Sequence, residues 1–310
     1  MTQVEVRAPS VYDRTAVDDL AMERVNPPQA FWRGFFTTSR EIWRYRELLT
    51  GLVRKELKVK YKGSALGFLW SLMRPMLMLA IYYVAIGKFL ATPVPGYVVF
   101  LFSGLVAWTF FSDVVNGATN AITSNGGLIK KVYFPREILP LSVVGAALVQ
   151  FAIMLLVLFA TVLLTGRTVT PGKLLLLPLS LLVLIIFASA VALLMSAANV
   201  FLRDTQHLVE VGLLLWFYMT PILYAIGNVQ AKIHSAGSVV EQVYLANPMA
   251  IVVFGFQQAI YQRGSFQGRS QLYGGDVLGR ELILLIVSTA LLFLSQRVFA
   301  RVQGNFAQEL

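Results

Sequence analysis

Two stretches, 138–166 and 174–202, hold no charged residue at all. Each exceeds the roughly 20 residues a helix needs to cross about 30 Å of hydrocarbon. Inside lipid every backbone polar group must be satisfied within the protein, which leaves helices and closed barrels. A membrane barrel would show alternating segments of about ten residues, whereas these runs are continuous, so helices are expected. With 57% hydrophobic and 14% charged residues over 310 positions, the fold class is an all-α integral membrane protein.

Two further stretches each tolerate one charge: 63–87 contains Arg74 and 98–120 contains Asp113. A fifth span is expected over 211–225, bent or ended by Pro221, and a shorter sixth over 282–296, extending to about Arg280. The stretch 242–262 is uncharged but includes Asn247-Pro248 and Gln257-Gln258. A full crossing there would bury several polar groups, so short interfacial or re-entrant helices are expected. Charge bias supports the count of six. Thirteen Lys or Arg lie near the membrane in 44–65, 120–137, 201–207 and the C-terminal tail, against seven on the opposite side. The positive-inside rule therefore favours six spans with both termini in the cytoplasm.

The same rule accounts for the net charge of +10, and no base-stacking module accompanies it, so nucleic acid is not an expected partner. The chain has no cysteine, and its two histidines, His207 and His234, are isolated, so no metal site is expected. No short apolar core with a small-residue cleavage site precedes the first run, and the first span is expected to direct insertion itself.

Four segments follow. Residues 1–37 form a cytoplasmic arm rich in charge and small polar residues, expected to be mostly disordered. Residues 38–62 form an amphipathic helix with Ile42, Tyr45, Leu49, Leu52 and Val53 at helical spacing and Arg40, Arg44, Glu47, Arg54, Lys55 and Lys58 on the other faces. Running directly into the first span, it suits the headgroup plane. The six-helix domain covers 63–302, and 303–310 is a cytoplasmic tail. Between the last two spans, 227–280 is polar and Gly-rich around one apolar stretch, which suits an extracytoplasmic connector capping a pathway. Of three small-xxx-small patterns, at 63–67, 264–268 and 275–279, only the first meets a span.

Neither Gly87-Lys88 nor Gly172-Lys173 has the Ser/Thr and upstream glycine of a phosphate-cradling loop, so any ATP is expected on a partner. No nucleophile elbow, zinc spacing or paired carboxylates appear at span ends, and no catalytic residue is expected. Transport is the better reading. Arg74 and Asp113 each lie some 10–12 Å inside the cytoplasmic face at 1.5 Å per residue. An unpaired charge near the bilayer centre costs about 2.5–3.5 kcal/mol, so their opposite signs suggest an intramembrane ion pair. The alternative has Arg74 reaching the headgroups and Asp113 facing a wet cavity. Aromatic residues gather at Trp108, Phe110 and Phe111 and at Trp216, Phe217, Tyr218 and Tyr224. With Trp70, they are candidates to line a path for sugar rings, although Trp70, Trp108 and Tyr224 equally suit an interfacial belt.

The segment "LIKKVYFPREILPL", 128–141, sets two lysines, a proline and an Arg-Glu pair between two spans. Asn125-Gly126-Gly127 reads as a turn, 128–134 as a short helix exposing Lys130 and Lys131, and Pro135 as part of the next helix's first turn with Glu137 near its N-terminus.

Three segments together resemble the permease subunits of ABC-2-type exporters of polysaccharides and polyol phosphates, the group of O-antigen, teichoic acid and galactan exporters. They are "KELKVKYKGSALGFLWSLMRP" at 55–75, "FPREILP" at 134–140 and "NVFLRDTQHLVEVGLLLWFYMTPILY" at 199–224. The resemblance runs from about Leu49 to the C-terminus and implies a homodimer joined to two ATPase subunits that hold ATP and Mg. It implies that Leu128, Ile129, Lys130, Lys131, Val132, Tyr133, Phe134 and Arg136 couple the permease to the ATPase, and that a lipid-linked glycan is moved outward. The N-terminal arm is longer than in a minimal member. Competing readings are export of a drug or small lipid on the same fold, a multi-pass cell-wall glycosyltransferase, which should carry acidic or Arg-rich outer loops, and a passive channel, which would need no ATP.

Overall fold

A computed structural model describes residues 40–61, 69–90, 94–166, 171–225, 242, 244–261 and 276–310. The N-terminal arm, the Tyr-Lys-Gly-Ser entry beyond Tyr61, the small-residue patterns at 63–67 and 264–268, and most of the 227–280 connector lie outside the described residues. Among the described residues all regular structure is helical.

The helix α1 (Arg46–Tyr61) follows a turn of helix at 40–44. Its inward side chains are those the spacing selects: Leu52 is buried, and Ile42, Tyr45, Leu49 and Val53 are half-buried, while Arg40, Arg44, Glu47, Arg54, Lys55 and Lys58 are exposed. The helix lies along α5 (Ile138–Leu164). The close approach is at Gly145, where an added Cβ would come within 2.7 Å of Val53 Cγ2.

The spanning helices are α2 (Leu69–Tyr82, continued as a π-helical run Tyr83–Phe89), α3 (Tyr97–Ala121), α5, α6 (Leu176–Phe201, led in by one turn at Pro171–Leu174) and α9 (Val277–Val302); a one-turn helix, α4 (Gly126–Ile129), precedes α5. The central helix is α3, packed by α5, α6, α7 (Thr205–Met219) and α8 (Pro248–Ile260). The longest contact is between α6 and α9. The buried face of α6 carries Ser180, Ala188, Ala192 and Ser196, small residues that let two helices approach without a large apolar driving force in lipid. By contrast α2 is peripheral: only 6% of its apolar stretch is buried, against 78% for α3.

Among the described residues five helices are long and apolar enough to cross a membrane. The expected fifth span is the 15-residue α7, which stops at Met219 ahead of Thr220-Pro221. Proline lacks the amide the helix would need and disfavours helical backbone at the residue before it. The uncharged stretch after 242 becomes α8, a 13-residue helix too short for a full crossing and almost wholly buried among α3, α6 and α9, which agrees with the re-entrant form expected there rather than the interfacial one. Asn247 starts it, its side chain accepting from the Met249 amide at 3.1 Å and from Trp216 Nε1 at 2.8 Å while donating to Thr220 Oγ1 at 3.2 Å. One amide side chain thus joins the end of α7 to the beginning of α8.

Candidate coupling and transport surfaces

The loop between α3 and α5 is anchored at its start. Asn125 is buried, donates from Nδ2 to the Ala121 carbonyl at 2.8 Å, and accepts from Lys55 Nζ of α1 at 2.5 Å. The helical turn falls at Gly126–Ile129, earlier and shorter than the 128–134 expected from sequence. The cause is local: Val132, Tyr133 and Phe134 favour extended backbone, and Phe134 precedes a proline. Pro135 stands just ahead of α5, its carbonyl accepting from the Ile138 amide at 3.1 Å, rather than inside the first turn.

The eight loop residues divide into two sets. Lys130, Lys131, Val132 and Tyr133 are exposed, the last two at 52% and 69%, and form an apex carrying two cations and two apolar groups. Ile129 and Phe134 are buried with Leu52, Ile138, Phe299 and Phe306, and Leu128 packs against the same cluster. Arg136 turns inward, donating from Nη1 to the Gln303 carbonyl, with its guanidinium 5.9 Å from the Phe306 ring centre.

Glu137, directly before α5, is 1% exposed. Burial pushes its carboxyl up to about 7, with Glu41 adding to the rise and its own backbone amide and Arg136 opposing it. A carboxyl raised in the folded state stabilises below its unfolded value near 4.5 and loses that contribution as pH rises through about 7. Between pH 6 and 8 the wild type should lose about 1 kcal/mol of stability from this group. Glu137→Gln should flatten that part of the melting-temperature profile in detergent; an unchanged slope would show that another group sets it.

Asp113 meets Lys60 of α1 rather than Arg74: Lys60 Nζ lies 3.4 Å from Asp113 Oδ2 and 2.8 Å from Gln150 Oε1. Arg74 is exposed on α2. Depth along the membrane normal matches for Arg74 and Asp113, but depth says nothing about which way round its helix a side chain points, and α1 brings the end of its basic face to α3 and α5.

The aromatic candidates also separate. Trp108, Phe110 and Phe111 are core residues, 7%, 3% and 0% exposed. Phe111 stacks on Phe187 at 5.5 Å and meets Trp216 edge-on at 5.2 Å, Trp108 packs on Phe217 at 5.5 Å, and Phe110 meets Phe151 at 5.4 Å. Trp216 is half-buried in this cluster, and half-buried Tyr224 shares a hydrogen bond of 2.6 Å with Tyr244. Trp70 and Tyr218, at 55% and 54%, are the exposed members. Sequence reasoning missed Asn247, Lys60 and a buried contact in which Ser180 of α6 meets the Glu281 carboxylate of α9 beside Gly255 of α8. The signal for the last was a lone acid opening an apolar run.

The sequence family described as "ABC-2 type transporter" matches residues 47–261, from α1 to the end of α8. The chain is 33% identical over 271 residues to the O-antigen export system permease protein RfbA of Myxococcus xanthus, covering 87% of this chain and 98% of that protein. It is 29% identical over 266 residues to a protein of the same name from Klebsiella pneumoniae, covering 85% and 95%.

Proposed function

The chain belongs to the ABC-2 type transporter family of membrane proteins, and from that premise we propose that it is the permease of an ATP-driven exporter of a lipid-linked polysaccharide of the O-antigen kind. Two copies pair, over apolar faces such as that of α2 which the single chain leaves bare, and join two ATPase subunits that hold ATP and Mg. The complex sits in the cytoplasmic membrane with both termini inside, α7 and the segment following it serving as the fifth crossing.

The observation that carries the reading is the apex Lys130–Lys131–Val132–Tyr133, exposed on a loop whose base is buried, a form that suits docking into a partner. ATP-driven closure of the ATPase pair pushes on that apex and on α1. Lys55 links α1 to the loop at Asn125 and Lys60 links it to α3 and α5, so the push reaches the spans directly. In this reading the glycan passes along faces bearing Trp70 and Tyr218, while Trp108, Phe110, Phe111, Trp216 and Tyr224 stiffen the wall behind them.

Deleting the gene should remove the polysaccharide from the cell surface and leave its lipid-linked form inside, measured by sugar analysis of envelope fractions. Wild-type chain should restore export only beside an ATPase able to hydrolyse ATP, and Lys130→Glu with Lys131→Glu should fail to restore it at normal membrane levels. Export that continues with the ATPase inactivated would refute the reading.

A further inference from the structure

The C-terminal segment folds back under the loop between α3 and α5. After α9 ends at Val302, a turn at Gln303–Asn305 leads to the one-turn α10 (Phe306–Glu309). Five contacts tie it to the loop and its floor. The Gln303 carbonyl accepts from Arg136 Nη1 at the loop's far end. Phe306 is 0% exposed and lies beneath the Arg136 guanidinium at 5.9 Å. The same ring packs edge-on to Phe299 at 5.3 Å and against Phe201, the last residue of α6, at 6.0 Å. At the near end, a Cβ built on Gly126 would lie 3.6 Å from Leu310 Cβ. The tail therefore touches both ends of the loop, and its central aromatic ring joins the cluster holding Ile129 and Phe134.

We infer that Gln303–Leu310 is a built-in brace that holds the apex 130–133 in docking shape, with Arg136 as a positioning residue and not a contact of the ATPase. The apex itself is short of support: past the turn at Lys130 and Lys131 the backbone runs without regular structure from Val132 to Pro135. Ordering such a segment costs backbone conformational entropy, which packing from behind must offset. With Arg136 turned away, the surface offered to a partner is Lys130, Lys131, Val132 and Tyr133. That surface fits a cleft with an acidic rim and an apolar floor. The inference rests on the coupling role proposed above for the loop.

Because the natural chain lacks cysteine, it admits a direct test. A disulfide needs Cβ atoms about 3.5–4.5 Å apart, which Gly126→Cys with Leu310→Cys satisfies. In membranes containing the assembled transporter, mild oxidation should protect both thiols from a PEG-maleimide mass tag, reversibly with dithiothreitol. The pair Gly127→Cys with Leu310→Cys should stay taggable, since none of the described residues approaches Gly127 on its Cβ side within 4 Å. The oxidised Gly126–Leu310 variant should export within about twofold of its reduced form, since the brace stays seated throughout the cycle. Arg136→Ala and Phe306→Ala should each lower export at least tenfold while ATP hydrolysis by the complex continues; Phe306→Leu, which keeps the apolar volume, should recover most of it. Free tagging of the Gly126–Leu310 pair under oxidation, or normal export after truncation at Val302, would overturn the brace. The cross-link needs no ATPase, so a pair that locks in a chain whose export ignores ATP would instead condemn the transport reading.

Discussion

Replacing Gly255 with alanine should collapse the yield of folded protein more than tenfold, measured by size-exclusion chromatography of a fluorescent fusion in detergent. Gly255 sits in α8 where a Cβ would collide with the Glu281 carboxylate and the Ser180 hydroxyl, both on side chains that are 0% exposed. The Ser180 hydroxyl sits against both the Glu281 carboxylate and the Leu176 carbonyl, the latter at 2.9 Å, so neither side chain is free to swing aside. Overpacking a filled core costs about 1–3 kcal/mol, and parting a buried polar pair adds about as much. Together these are a large share of the ~5–15 kcal/mol by which a domain is stable. Gly212→Ala in α7 is the matched control, since none of the described residues lies within 4 Å of its Cβ position. There alanine should help slightly, by up to about 1 kcal/mol, through helix propensity alone. Equal effects at the two glycines would mean that α8 is not packed against α6 and α9 as described.

Asp113→Lys should reduce export at least tenfold without loss of membrane level, and the companion change Lys60→Asp should restore most of it. The pair is partly exposed, 49% and 27% by side chain, so its contribution to stability is small. Its effect lies in register. Lys60 is one residue from the end of α1 and holds that end against α3 and α5 through Asp113 and Gln150. Two cations at that spacing would repel and lift the end of the helix from the bundle, breaking the route that the proposed function gives to a push on α1. Arg74→Asp in the Asp113→Lys background should give no rescue, because Arg74 lies apart on the exposed face of α2. Rescue by Arg74→Asp, and not by Lys60→Asp, would restore the intramembrane pair expected from matched depth.

That contrast shows what a linear reading of the chain carries. Membrane class and helical architecture follow from the length of apolar runs, since lipid leaves the backbone so few solutions. The inward positions of α1, from Ile42 to Val53, follow from spacing because a single helix has a fixed period. Partners across helices do not follow, as the Asp113 contact shows: rotation about each axis is set by packing that no local pattern records. Trp108, Phe110 and Phe111 illustrate the same gap, because an aromatic group facing a path and one facing a neighbouring helix read identically in one dimension. Phe306 was hidden for a different reason. A single ring in a polar tail looks incidental, although Phe299, seven residues earlier and on the same side, offered a hint of a small apolar seam.

The brevity of α7 has its own consequence for the surrounding lipid. Fifteen residues rise only about 22 Å, while the hydrocarbon layer is some 30 Å deep. Leu208, Val211, Leu214, Leu215 and Met219 stand outward on this short rod. Left unmatched, the difference would compress the acyl chains at that flank, at a fraction of a kcal/mol per Å. In the reading proposed above, the segment after Met219 makes up that depth, and α7 itself supplies about three-quarters of the fifth crossing.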